Sequence, residues 1–279
     1  MTFLEKLAGA VAASNVCVGL DPVPEKLPDH LAQRRDGIAL FCEAIVEATA
    51  PFTAAYKPNL AFFEALGIDG WNALERAVAA VRRYAPDAVI IGDGKRNDIG
   101  NTARLYARAM FDTWGFDAAT VNPYLGSDGI LPFLQFPGRG IFVLALTSNG
   151  SAGELQDHTD NSEPLYLHVA RLAQEEWNDN GNVGLVVGAT KGGKIREVGE
   201  AAPDLPFLLP GIGAQGGDLE KAVHAALGPN RPPGLINSSR GILYGSNGRE
   251  FDRVAAEAAK TLRDQIQAAK KTGTDRVKR

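Results

Sequence analysis

Asp93-Gly94-Lys95-Arg96-Asn97-Asp98 sets two carboxylates around a lysine, directly after the apolar run Val89-Ile90-Ile91-Gly92. Side chains at i and i+2 of a strand leave on the same face, so Asp93 and Lys95 are expected to project together. A carboxylate beside a lysine keeps the ammonium charged and oriented. A lysine that donates a proton needs that setting. The plainer alternative is an ion pair that caps a strand end. Asp98 weighs against it, because this much charge beside a buried strand is costly unless it is used.

Short apolar runs recur at 16–21, 54–59, 89–95, 118–123, 141–148, 183–190, 207–211 and 235–240. Most are apolar throughout, as strands buried on both faces of a parallel sheet are. Between them lie residues at helical spacing: Ile38, Phe41, Ile45 and Ala48; Trp71, Leu74, Val78 and Val81; Leu165, Val169, Leu172 and Ala173. Repeated strand–helix units in this number predict a single α/β domain over 1–279, a (β/α)8 TIM barrel with its core at about 14–262. A doubly wound open sheet is the alternative. Barrel chemistry sits at the C-terminal strand ends. Those ends carry Asp21, Lys57 with Asn59, Asp93 with Lys95, Thr147 with Ser148, Pro210 with Gly211, and Arg240. The N-terminal ends are expected to lack such groups.

The 279 residues are 45% hydrophobic and 22% charged, ample for a globular core. The net charge is −4 and no long basic block occurs, so nucleic acid is not an expected partner. No apolar run reaches the ~18 residues of a membrane span. Cys17 and Cys42 sit in apolar patterns and read as buried, reduced thiols of a cytoplasmic protein. The small apolar stretch 7–14 follows Glu5 and Lys6 without a basic leader and runs into a strand, so export is not expected. The basic tail, about 268–279, reads as a solvated, disordered end. His30, His158, His168 and His224 are scattered, with no second ligand at fixed spacing, so no metal is expected. A G-x-S-x-G nucleophile motif is absent. Lysines and aspartates are left to carry any catalysis.

Pro210-Gly211-Ile212-Gly213-Ala214-Gln215-Gly216-Gly217-Asp218 follows the seventh run and precedes the helical 219–227. Glycine lets backbone N–H groups approach an anion, and phosphate sites of these barrels follow strands seven and eight. A flexible turn is the bland alternative. Arg240, after the eighth run, adds a fork suited to phosphate. Gly188-Ala189-Thr190-Lys191-Gly192-Gly193-Lys194-Ile195 mimics a Walker loop, but Ile195 stands where Ser or Thr must hold magnesium, so a plain turn is expected.

Asp93-x-Lys95-x-x-Asp98-Ile99 followed by Gly100-Asn101-Thr102 resembles the signature of the orotidine 5′-phosphate decarboxylase family. Gly19-Leu20-Asp21, Tyr56-Lys57-Pro58-Asn59, Leu146-Thr147-Ser148-Asn149, Pro210-Gly211-Ile212-Gly213-Ala214-Gln215 and Ser239-Arg240-Gly241 match in the family's order, in the manner of its longer, type 2 branch. The resemblance implies conversion of orotidine monophosphate to UMP and carbon dioxide in pyrimidine biosynthesis, without metal or organic cofactor. It makes Lys95 the proton donor to pyrimidine C6, with Lys57, Asp93 and Asp98 completing an alternating charge array. Asp21 and Lys57 would hold ribose hydroxyls, Asn59 would lie at base and sugar, and Ser148 would bond the pyrimidine. Gln215 and Arg240 would grip the phosphate, with Pro210 and Ser239 in the substrate-binding set. The residues matching Asp98, Ile99 and Thr102 enter from the partner subunit, which implies a homodimer with shared sites. Closure of 213–218 would exclude water. Two alternatives are a metal-assisted sister barrel, such as a pentulose-phosphate epimerase or hexulose-phosphate synthase, and a non-catalytic nucleotide-binding protein.

Overall fold

Strands β1 (Val16–Leu20), β2 (Ala55–Pro58), β3 (Val89–Arg96), β4 (Ala118–Val121), β5 (Gly140–Leu146), β6 (Val183–Val187), β7 (Phe207–Pro210) and β8 (Leu235–Ser238) pair in parallel, in chain order, and close into a barrel. The computed structural model describes residues 1–159, 163–189, 192–211, 216–228 and 230–277. Closure comes from β1 against β8, with Cys17 opposite Asn237. The fold is therefore a (β/α)8 TIM barrel, and the open-sheet alternative falls. Each expected strand is present. Most stop one to three residues before the apolar run does. Helices Gly37–Thr49, Gly67–Tyr84 and Leu165–Glu175 occupy the three stretches of helical spacing.

Alternate residues of the strands fill the barrel interior. Cys17, Ala55, Val89, Ile91, Ala118, Phe142, Val186, Leu208 and Leu235 form one buried cluster, closed from below by Phe3 and Leu7. Those two come from helix Phe3–Ala10, which starts in a capping box. Glu5 N donates to Thr2 Oγ1 at 3.2 Å, and Thr2 N donates to Glu5 Oε2 at 2.8 Å. Phe3 meets Phe142 edge-on at 5.9 Å. It also lies over Gly140, where a Cβ would come within 2.2 Å of its ring. A larger cluster fills the space between strands and helices.

Two expectations need correction. The N-terminal strand ends do carry charge. Asp117, just before β4 and 4% exposed, accepts from Arg82 at 3.0 Å and from the Ile90 amide at 2.9 Å, and it pairs with Lys6 at 2.7 Å and Arg139 at 3.3 Å. Burial works against its ionised form, and these donors overcome it, so its carboxyl is held below the usual range. The cluster ties two strands and their helices together at the floor. The basic tail is also not a loose end, because helix Phe251–Val277 runs through it. Ile266 and Ala269 are buried, Gln267 Nε2 donates to Ala13 O at 2.9 Å, and His224 Nε2 lies 2.8 Å from Ala269 O. The sparse stripe Ala255, Ala259, Ile266 and Ala269 docks the helix, and Lys270 Nζ donates to Asn15 Oδ1 at 3.2 Å. Residues 278–279 lie outside the described ones.

Among the described residues, no helix is long and apolar enough to cross a membrane.

Candidate active site

Strand alternation carries the interior layer one step further toward the mouth. Two residues beyond Cys17, Ala55, Ile91, Ala118 and Leu235 come Gly19, Lys57, Asp93, Thr120 and Asn237. The apolar core therefore gives way to a polar layer.

Asp93 is its centre. Lys57 Nζ donates to Asp93 Oδ2 at 2.5 Å, with both side chains 6% exposed. Lys95 Nζ donates to Asp93 Oδ1 at 2.6 Å and is 47% exposed toward the mouth. Thr120 Oγ1 donates to the same Oδ1 at 2.8 Å and accepts the Lys95 amide at 2.9 Å. Burial alone would raise the Asp93 carboxyl, but Lys57 and Lys95 hold it well below the usual carboxylate range. Burial opposes the charge on Lys57, and Asp93 with Asp21 more than offsets it, so that ammonium titrates above its ordinary value. Cys17, one layer down, is pushed up to about 12 by burial and stays a thiol.

The Asp93–Lys95 pairing expected from strand alternation is present, although the strand is not regular there. Lys95 has φ +46, the one non-glycine with positive φ among the described residues. The β3–β4 register shifts between Gly92 and Arg96. A left-handed lysine costs about 1–3 kcal/mol and persists only where its surroundings fix it.

Asp21 follows β1. Its carbonyl accepts from Tyr244 Oη at 2.8 Å, and that hydroxyl accepts from Val23 N at 2.7 Å. Asp21 Oδ1 is buried without a protein partner, and so is Asn237 Oδ1. Both residues line a cavity of about 780 Å³ with Ser239, Gly211 and Arg240. Two buried acceptors without donors suit a ligand that brings hydroxyl groups. Ser239 fits only because residue 19 is glycine, since a Cβ there would sit 1.9 Å from Ser239 Oγ. Arg240 is exposed and opens helix Arg240–Leu243. Pro210 ends β7 and Gly211 takes φ +92, a turn that glycine adopts freely. Gln215 lies outside the described residues, as do 212–214.

Asn59 caps helix Leu60–Glu64, accepting the Ala61 amide at 3.3 Å, and its backbone bridges to Asp93. Ser148 is exposed beyond β5, and its amide would meet a Cβ on Gly188 at 2.9 Å. Asp98, Ile99 and Thr102 do not join the cluster. The Asp98 carboxylate accepts the Ile99 amide at 2.8 Å and makes no ion pair with Lys57 or Lys95 among the described residues. Ile99 is 52% exposed, and Thr102 is exposed on helix Gly100–Arg108.

The Walker-like stretch leads from β6 into helix Gly192–Ala201, where Lys194 pairs with Asp157 and lies 5.0 Å from the Tyr166 ring centre. Thr190 and Lys191 lie outside the described residues. No group of three or more His, Cys, Asp or Glu is placed to hold a metal ion among the described residues. Sequence reasoning missed Thr120 and Asn237. Each is a polar residue in an otherwise apolar strand, at an inward-facing position by parity, and that was the available signal.

A family model described as "Orotidine 5'-phosphate decarboxylase / HUMPS family" matches residues 14–251. The chain is 50% identical over 272 residues to an orotidine 5′-phosphate decarboxylase of Roseiflexus castenholzii, covering 96% of this chain and 98% of that one. It is 45% identical over 276 residues to the Polaromonas naphthalenivorans protein of the same name, covering 97% of each. The solved structure of Leishmania donovani OMP decarboxylase superposes with TM-score 0.84 at 37% identity, over 97% of this chain and 99% of that one. The match extends from the first strand of the barrel past its last, at relatives' full length, and the chain belongs to the orotidine 5′-phosphate decarboxylase / HUMPS family of enzymes.

Proposed function

We propose that this protein converts orotidine 5′-phosphate to UMP and carbon dioxide in pyrimidine biosynthesis, as one barrel domain in the cytoplasm, with no metal or organic cofactor. The observation that carries the reading is the relay Lys57–Asp93–Lys95, fixed at the mouth of a barrel of this family. Decarboxylation leaves an electron pair at C6 of the pyrimidine. An ammonium already oriented there stabilises that charge more in the transition state than in the ground state. Lys95 then delivers its proton to C6 as the carbon dioxide departs. Asp93 holds Lys95 in place, and Lys57 holds Asp93.

Asp21 and Lys57 hold the ribose hydroxyls, Asn59 lies at base and sugar, Ser148 bonds the pyrimidine, and Arg240 with Gln215 grips the phosphate, beside Pro210 and Ser239. The empty acceptor on Asp21 and the position of Arg240 in the same cavity support this. Asp98, Ile99 and Thr102 serve the site of a second subunit in a homodimer. Ile99 is joined by Leu105, Tyr124, Leu125 and Leu131 as large exposed apolar residues on neighbouring segments, a surface suited to a second copy of the chain.

The test is loss of orotidine monophosphate absorbance on adding protein dialysed against EDTA. Turnover without added metal is expected. No turnover overturns the reaction, and activity recovered only with Mg²⁺ or Zn²⁺ overturns the cofactor-free mechanism.

A further inference from the structure

Resting on that reaction, we propose that Thr120 is a positioning residue whose hydroxyl sets the conformation from which Lys95 delivers its proton. Thr120 is 1% exposed and lines the mouth from β4. A hydroxyl has one proton to give and lone pairs to receive. Here it gives the proton to Asp93 Oδ1 at 2.8 Å and receives the Lys95 amide at 2.9 Å. The two ends of the Asp93–Lys95 ion pair are thus tied to one side chain on the neighbouring strand.

The backbone explains why a side chain is needed. The β3–β4 ladder steps from Gly92 opposite Ala119 to Arg96 opposite Val121, skipping a regular rung. Lys95 lies within the skipped stretch at φ +46, and its N–H finds the Thr120 hydroxyl in place of a strand carbonyl. Loss of the hydroxyl would leave that amide unpaired and remove the anchor of the left-handed turn. Asp93 would keep Lys57 on Oδ2, so the carboxylate would stay charged. The residues proposed to hold ribose and phosphate lie on other strands. The damage should therefore fall on proton delivery, where small displacements cost much rate, and not on binding.

The experiment compares Thr120→Val, close in shape without the hydroxyl, with Thr120→Ser, which keeps it. Thr120→Val should lose about tenfold to a hundredfold in kcat, with KM and UMP affinity within about threefold of the parent. Thr120→Ser should recover kcat to within about threefold. A valine variant within twofold of parental kcat, parallel losses in kcat and UMP affinity, or a serine variant as impaired as valine would each overturn the proposal. If the valine variant does not fold, the serine variant and amide hydrogen exchange in the parent decide. The Lys95 amide should be protected, and loop-like exchange there would sink the idea. A parent that leaves orotidine monophosphate untouched defeats the reaction, and the Lys95 amide still reports whether the hydroxyl tie exists.

Discussion

Asp93 stands between two ammonium groups, with one carboxylate oxygen on each. Its carboxyl is held well below the usual range, so its contribution to stability is present above the unfolded value of about 3.9 and is lost as pH falls through the folded value. The difference in urea midpoint between the parent and Asp93→Asn should stay constant from about pH 8 to pH 5 and narrow below about pH 4. A difference that narrows near neutrality would mean that Asp93 is not held ionised by its lysines. Lys95→Ala should abolish turnover yet leave UMP bound, and turnover within tenfold of the parent would remove Lys95 as the proton donor. Asp93 and Lys95 were legible in the sequence because charge at the end of an apolar strand has few other uses. The backbone turn at Lys95 was not, since nothing in Gly94-Lys95-Arg96 marks the lysine as the left-handed residue. Thr120 and Asn237 are harder to read, because each is a single polar residue inside an apolar strand and not at its end.

Among the elements, the strands were readable to within a few residues because burial on both faces leaves unbroken Val, Ile, Leu and Ala. Helix Phe251–Val277 was not, because its few buried alanines are outnumbered by polar residues, and no clear apolar stripe shows. The charge at the floor was hidden for a related reason. Asp117 precedes its strand, and only the fold brings Lys6, Arg82 and Arg139 to it. The turn after β8 makes a sharper claim. Ser239 nests against Gly19, which sets where the chain turns into Arg240. Arg240→Ala should weaken UMP binding by about 1.5–3 kcal/mol, as for a hydrogen bond to a charged group, or roughly tenfold to a hundredfold. Uridine binding should hardly change. Equal losses for UMP and uridine would show that Arg240 does not hold the phosphate.

Among the described residues, the buried carboxylates Asp117 and Asp93 lie at opposite ends of one barrel, Asp117 at the floor and Asp93 at the mouth. The proposed homodimer is tested through Asp98, whose carboxylate meets neither lysine of its own mouth. Lys95→Ala and Asp98→Ala proteins should each be nearly inactive and should regain activity when mixed and allowed to exchange subunits. Random exchange makes half the dimers mixed, each with one intact site, so about a quarter of parental activity per site is the ceiling. No recovery after demonstrated exchange would mean that Asp98 acts within its own chain. The seam between β1 and β8 bears on the newborn chain. Asn15 Nδ2 donates to Gly234 O across that seam from 219 residues away. At about 5–20 residues per second, a ribosome needs roughly ten to forty seconds to deliver the second partner after the first. For that interval Val16-Cys17-Val18 offers an unpaired apolar edge to any neighbouring strand. The first strand of every copy therefore waits with one edge open until the last one arrives.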